Sequence, residues 1–188
     1  MNPPLRKLVA VAIVMFVTLM AAATSIQFFR ADSLNTDARN ARTLYKEYGV
    51  DRGPIIVAGT PITDSVAVAS PYNYQRTYLE PALYAHATGY FSVTHNSMTG
   101  IERAENSILG GSDTSLAPQR IEELFTGEDP EGGAVQLTID PAVQQAAWDA
   151  LGDRRGAVVA IEPSTGRILA MVSKPSYDPN LIASHDSQ

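Results

Sequence analysis

The residues able to do chemistry are few, and their spacing assembles no site. A serine made nucleophilic by a lysine one helical turn away needs Ser-x-x-Lys. Ahead of Lys46 and Lys174, the positions that would hold the serine are Thr43 and Met171. No lysine is followed by Ser/Thr-Gly, and there is no Gly-x-Ser-x-Gly elbow. Thr43-x-x-Lys46 and Ser33-Leu34-Asn35 copy the form of catalytic motifs, but each stands without a partner motif. His86, His95 and His185 lack the paired helical spacing of a metal site, so no metal is expected. Gly110-Gly111 and Gly132-Gly133 do not sit on a strand-to-helix turn that could cradle phosphate. Glu122 and Glu123 are adjacent on an expected helix and point apart, which is wrong for paired acid–base work. Glu102, Asp140 and Asp178 stand alone. No cofactor is called for.

Composition narrows the classes further. The chain has 188 residues, 14 Lys+Arg, 20 Asp+Glu and no cysteine. Without cysteine there is no disulfide scaffold, no Cys-ligated zinc and no thiol catalysis. Arg6, Lys7 and Arg30 are the only charges in the first 30 residues, so residues 31–188 carry a net charge of −9. A body that acidic excludes a nucleic-acid partner, whose phosphates need cationic contacts.

The elements that would position any site begin at the N-terminus. Leu8–Phe29 is free of charge, and as a helix it would span about 33 Å, the thickness of a bilayer's hydrocarbon core. Arg6 and Lys7 predict a cytoplasmic N-terminus and an extracytoplasmic body at the plasma membrane. Ala21-Ala22-Ala23 leaves open a cleaved signal peptide. Both readings export residues 31–188.

Thr36–Tyr48 reads as a juxtamembrane helix stopped by Gly49, or as a solvated linker. Ile55-Ile56-Val57 and Val66-Ala67-Val68, broken at Gly59-Thr60-Pro61, read as a hairpin. Tyr72, Tyr74 and Tyr78 suit a half-buried sheet face; the alternative is a sugar-binding surface on a secreted lobe. Residues 81–113 carry no clear period, and Pro118–Phe125 reads as a short helix. Gly127–Gly133 is a turn-rich break. Val135–Ile139 alternates as a strand. Asp140 caps a helix opened by Pro141, whose apolar face is Val143, Ala146, Ala147, Ala150 and Leu151. Gly156–Ile161 and Ile168–Val172 form an antiparallel hairpin across the 162–167 turn. Both strands are apolar on both faces, so cover is expected on both sides.

Residues 135–180 then carry a longer signal. The strand Leu137-Thr138-Ile139-Asp140, the turn Glu162-Pro163-Ser164-Thr165-Gly166-Arg167 and the exit Tyr177-Asp178-Pro179-Asn180 follow in order. This run resembles the segment leading into the transpeptidase domain of penicillin-binding proteins. Asn40, Arg42 and Arg52-Gly53-Pro54-Ile55 resemble the start of the class B pedestal. After Ile55 that class often continues Asp-Arg-Asn-Gly, whereas this chain reads Ile56-Val57-Ala58-Gly59. The difference fits the actinobacterial penicillin-binding protein A subgroup, which Gly100–Glu105 and Phe125-Thr126-Gly127 also resemble. Class A does not fit, because residues 31–134 are too few for a glycosyltransferase domain.

The resemblance implies an α+β fold in three parts. These are a cytoplasmic tip and signal-anchor over 1–30, a non-penicillin-binding pedestal over 31–134, and the start of a transpeptidase domain over 135–188. Arg52, Gly53, Asp140, Pro163, Thr165, Gly166, Tyr177, Asp178, Pro179 and Asn180 carry over as structural motif positions. The family's catalytic serine, in Ser-x-x-Lys, attacks a D-Ala-D-Ala stem peptide, passes the acyl group to an amine and is trapped by β-lactams. That motif follows Tyr-Asp-Pro-Asn by a few dozen residues in relatives, and the Ser-x-Asn and Lys-Thr-Gly motifs also lie beyond this chain. No catalytic residue carries over, and the chain alone is expected to be inactive. Implied partners are the membrane, peptidoglycan stem peptides, β-lactams and a membrane glycan polymerase of the shape/division family. The rival reading is a complete, non-catalytic interaction protein of the cell-wall or division machinery.

Overall fold

A computed structural model describes residues 3–31, 49–69, 72–116 and 131–185. The expected helices over Thr36–Tyr48 and Pro118–Phe125, the near-motifs at 33–35 and 43–46, Asn40, Arg42, Glu122, Glu123 and most of the 127–133 break lie outside the described residues. The chain divides into two units, Met1–Tyr45 and Lys46–Gln188.

In the first unit, α1 (Pro3–Phe29) is one uninterrupted helix with no buried residue. Its length and composition suffice to cross a membrane. Thr18 inside the span donates its hydroxyl to the Val14 carbonyl at 2.8 Å. No polar hydrogen is thereby left facing lipid at that position.

The second unit is α+β. β1 (Ile55–Val57) pairs antiparallel with β2 (Thr60–Pro61) and parallel with β7 (Val135–Leu137). Ala58 and Gly59 both take positive φ, the geometry of a tight two-residue hairpin turn. That turn closes β1 on residues 60–61, not on the Val66–Val68 run expected as its partner. Val66 and Ala67 instead end β3 (Thr63–Ala67), which pairs with β4 (Tyr74–Tyr78). The unpatterned stretch after it holds α2 (Pro81–Thr88), β5 (Phe91–Ser92), β6 (Ser97–Met98), α3 (Gly100–Ala104) and α4 (Asn106–Leu109). Ile55, Val57, Ile62, Tyr84, Ala87, Leu109 and Ile139 form the first core.

The second core joins α5 (Pro141–Leu151) to the hairpin of β8 (Gly156–Ile161) and β9 (Ile168–Lys174). Asp140 caps α5 by accepting from the backbone N–H of Ala142 at 2.8 Å and Val143 at 3.1 Å. The buried face of α5 is rotated from the one expected. Gln144, Ala147 and Leu151 face inward, while Ala146 and Ala150 are exposed. A polar side chain at position 144 can enter the core because its carboxamide is fully engaged there, as described below. At the other end, the Lys174 ammonium donates to the Gly152 carbonyl at 2.6 Å and lies 3.9 Å over the Trp148 ring.

The expectation of cover on both hairpin faces is corrected. α5 covers Ala170 and Val172, but on the opposite face Val159 is 52% exposed, Ile161 55% and Met171 38%. No described element packs on that side to match α5. α6 (Pro179–Ala183) ends the described chain and packs on β4 and β5.

Candidate functional site

The body is organised around a buried carboxylate that its sequence neighbours do not advertise. Glu102, on α3, is fully buried. Its Oε2 accepts from Arg52 Nε at 3.1 Å and Nη2 at 2.8 Å. Its Oε1 accepts from Arg76 Nε at 2.7 Å and from the Tyr78 hydroxyl at 3.3 Å. Both arginine side chains are at most 2% exposed. The partners come from the chain before β1 and from β4, and the carboxylate itself from α3. One carboxylate therefore ties three segments that are remote in sequence.

Two guanidiniums against one carboxylate leave a surplus positive charge in the interior. It is spread over further acceptors. Arg52 Nη1 donates to Asn106 Oδ1 at 2.7 Å, and its guanidinium carbon lies 3.9 Å from the Phe91 ring centroid. Arg76 Nη1 donates to the Arg52 carbonyl at 3.0 Å, and Arg76 Nη2 is buried with no hydrogen-bond partner among the described residues. Burial pulls the Arg52 guanidinium below its ordinary value, and Glu102 opposes the pull. Burial, then the Glu102 charge, holds the Tyr78 hydroxyl well above its ordinary value. Both oxygens of Glu102 are occupied by donors, and the one hydroxyl among them, that of Tyr78, is buried and held in its protonated form. The centre can hold segments in place; it cannot act as a general base.

Gly53 shows how closely the chain passes this centre. A Cβ there would sit 2.1 Å from the Gly133 carbonyl oxygen, and one on Gly132 would sit 1.8 Å from that of Leu109. The backbone uses that proximity: Gly53 N–H donates to the Leu109 carbonyl at 2.9 Å and Gly132 N–H to that of Asp51 at 2.8 Å.

Two side-chain amides then seal two strand edges. The Asn180 Oδ1 accepts from Tyr78 N–H at 2.8 Å while its Nδ2 donates to the Tyr78 carbonyl at 3.0 Å. Gln144 does the same to Met171, accepting from its N–H at 2.8 Å and donating to its carbonyl at 3.0 Å; it also donates to the Leu83 carbonyl at 2.9 Å. Each carboxamide imitates a peptide group of a neighbouring strand and satisfies an edge that would otherwise lack a partner.

The motif positions fall into groups. Arg52 and Gly53 lie at the ion centre. Tyr177, Asp178, Pro179 and Asn180 lie together against β4 and α2. Tyr177 donates its hydroxyl to the Ala85 carbonyl at 3.0 Å, Asp178 caps α6 through the Asn180 N–H at 2.8 Å, and Pro179 is buried. Pro163, Thr165 and Gly166 are at the exposed hairpin tip, where the Thr165 hydroxyl bonds Glu162 and Gly166 takes φ 74°. Asp140 caps α5. The three histidines do not converge: His86 meets the Tyr177 ring, His95 the Ser92 hydroxyl and His185 the Tyr72 ring. Sequence reading put Tyr78 on a sheet face without its partners, missed Arg76 and the inward turn of Gln144, and read Glu102 as solitary. Its only pointer to Glu102 was the Gly100–Glu105 resemblance.

Comparison with known proteins agrees with this architecture. A family model described as the penicillin binding protein A dimerisation domain matches residues 52–135. One described as the penicillin binding protein transpeptidase domain matches residues 156–187. The peptidoglycan D,D-transpeptidase PbpA of Mycolicibacterium smegmatis is 50% identical over 99% of this chain and 39% of its own length. The PbpA of Mycobacterium tuberculosis is 47% identical over the whole chain and 39% of its own. A solved ceftriaxone acyl-enzyme complex of penicillin-binding protein A from M. tuberculosis superposes with a TM-score of 0.71, at 49% identity, over 76% of this chain and 33% of that one. A Pseudomonas aeruginosa PBP2 structure gives 0.56 at 35% identity, over 74% of this chain and 32% of that one. Close homologues of this chain are peptidoglycan D,D-transpeptidases of the PbpA type, and it matches their N-terminal part. It spans about two fifths of the length of the curated relatives it matches, and includes the opening of a transpeptidase-like domain.

Proposed function

We propose that this chain is the anchor, pedestal and opening strands of a D,D-transpeptidase that cross-links peptidoglycan stem peptides outside the membrane. The parts proposed are 1–30 as cytoplasmic tip and signal-anchor, 31–134 as pedestal and 135–188 as the start of the transpeptidase domain. In the reaction, a serine supplied beyond these residues attacks the carbonyl between two D-alanines and releases the terminal one. An acceptor amine then takes the acyl group, and β-lactams acylate the same serine. The observation that carries the reading is the single-faced β8–β9 hairpin: one side is packed on α5 while the other presents Val159, Ile161 and Met171 to solvent. An apolar strand pair open on one face is an incomplete sheet.

The residues of this chain position and do not react. Arg6 and Lys7, near the start of α1 and ahead of its uncharged stretch Leu8–Phe29, favour a cytoplasmic N-terminus. A role at the division septum beside a membrane glycan polymerase of the shape/division family is the setting in which such a pedestal would work. The test uses the 188-residue chain with a reporter at each end. Alkaline phosphatase after Gln188 should be active and before Met1 inactive, and fluorescent penicillin should leave the chain unlabelled. The reverse reporter pattern would refute the orientation, and stoichiometric acylation would refute the division of labour.

A further inference from the structure

We propose that Asn180 is a positioning residue: it latches segment 177–183 to β4 at Tyr78, and Tyr78 couples that latch to the buried Arg52–Glu102–Arg76 centre. This rests on the reading of residues beyond 135 as the opening of the transpeptidase domain. Tyr78 works at both ends. Its hydroxyl donates to Glu102 at 3.3 Å and accepts from Phe91 N–H at 2.8 Å. Its backbone N–H and carbonyl both meet the Asn180 carboxamide, at 2.8 and 3.0 Å. In an antiparallel ladder successive residues turn their backbone groups to opposite sides. Tyr78 therefore faces away from β3, and the next residue, Leu79, turns back to donate to the Ile62 carbonyl at 2.8 Å. Asn180 is the partner that the outer edge of β4 has at Tyr78.

The latch is braced beside itself. Ser92 donates its hydroxyl to the Ile182 carbonyl at 2.6 Å, and Thr94 to that of Ser184 at 2.9 Å. Asp178 fixes the Asn180 backbone by capping α6. The side chain of Asn180 thus reaches Tyr78 from a held backbone, and the ring of Tyr78 ends on a carboxylate whose place is set by two buried cations. A shift of that carboxylate moves the tyrosine, and with it the amide and carbonyl that hold the start of α6. The centre and the latch form one contiguous two-ended contact, a hydrogen-bonded chain of the kind that carries coupling between sites.

The experiment is nuclear magnetic resonance on the uniformly 15N-labelled 188-residue chain in detergent micelles. In the native chain, the Asn180 carboxamide protons should exchange about fivefold or more slowly than those of exposed Asn73, as expected for one net hydrogen bond. In Tyr78→Phe that protection should fall to within about twofold of Asn73, while the Gln144 carboxamide stays protected. Because Tyr78→Phe removes the acceptor of a buried N–H, Asn180→Ala reads the coupling from the other end. There the Arg76 Nε–H signal should move and the Tyr78 amide lose protection, with the Leu79 amide unchanged. An Asn180 carboxamide as labile as that of Asn73 in the native chain overturns the latch. An Arg76 signal unmoved in Asn180→Ala overturns the coupling. Neither outcome involves penicillin, so failure here leaves the transpeptidase reading to its own test.

Discussion

Replacing Glu102 by glutamine removes the one anion between two buried guanidiniums and keeps its volume. The native carboxylate takes three N–H bonds, at 3.1, 2.8 and 2.7 Å, and one hydroxyl bond at 3.3 Å. Glutamine leaves one acceptor oxygen and points an amide N–H₂ at an arginine. The buried charge rises from one surplus cation to two, and Arg76 already has an unpaired Nη2. Removing one partner of a buried ion pair costs about 3–5 kcal/mol, because the charge left behind has lost its water. Set against roughly 5–15 kcal/mol for a whole domain, that is a large fraction of the stability. The assay is urea unfolding of the chain in micelles, followed by Trp148 fluorescence and far-ultraviolet circular dichroism. The internal control is Arg167→Ala, which breaks the exposed Glu162–Arg167 pair at 4.0 Å with side chains 38% and 53% exposed. That pair should be worth less than about 1 kcal/mol. A Glu102→Gln loss no larger than the Arg167→Ala loss would refute the reasoning that the centre carries the body.

Three further outcomes follow from the same geometry. Gly53→Ala should destabilise by about 1–3 kcal/mol or more, since its Cβ would meet the Gly133 carbonyl oxygen at 2.1 Å; a thermal melt checks it. Asp51 is raised above its ordinary 3.8 by burial first, then by Glu131 and Asp64. The folded state therefore binds that proton more tightly than the unfolded one, and its stability falls as pH rises through the window above 3.8. Asp51→Asn should raise the melting temperature at pH 7, and the gain should vanish as pH drops to 3.8 and below. Asp140→Ala removes two N-cap bonds of α5 and should cost about 1 kcal/mol, read as a lower urea midpoint with an unchanged slope.

What the sequence made legible was what short-range physics decides. The uncharged span of α1, the Asp140-Pro141 start of α5 and the two runs of the β8–β9 hairpin each carry their signal within a few residues. The face of α5 was misread because alanines were counted as inward and glutamine as outward. Gln144 reverses that order by pairing with Met171, a contact no helical period contains. The partner of β1 was misjudged because the Ala58-Gly59 turn is tighter than the run of β-formers suggested. The ion centre was invisible for a different reason. Arg52, Arg76 and Glu102 come from different elements, and nothing local distinguishes a buried arginine on β4 from a solvated one. The tyrosines divided as an ordinary sheet would: Tyr78 is buried against Glu102, while Tyr72 and Tyr74 are half-buried.

Under the proposed function, residues 1–188 supply the frame on which a transpeptidase domain is built. The most direct measurement joins them in place of the matching N-terminal part of M. smegmatis PbpA and follows covalent labelling by fluorescent penicillin. Stoichiometric labelling of the chimera is expected, abolished when the relative's own catalytic serine is replaced by alanine. A folded, membrane-inserted chimera that takes no penicillin would contradict the proposed function.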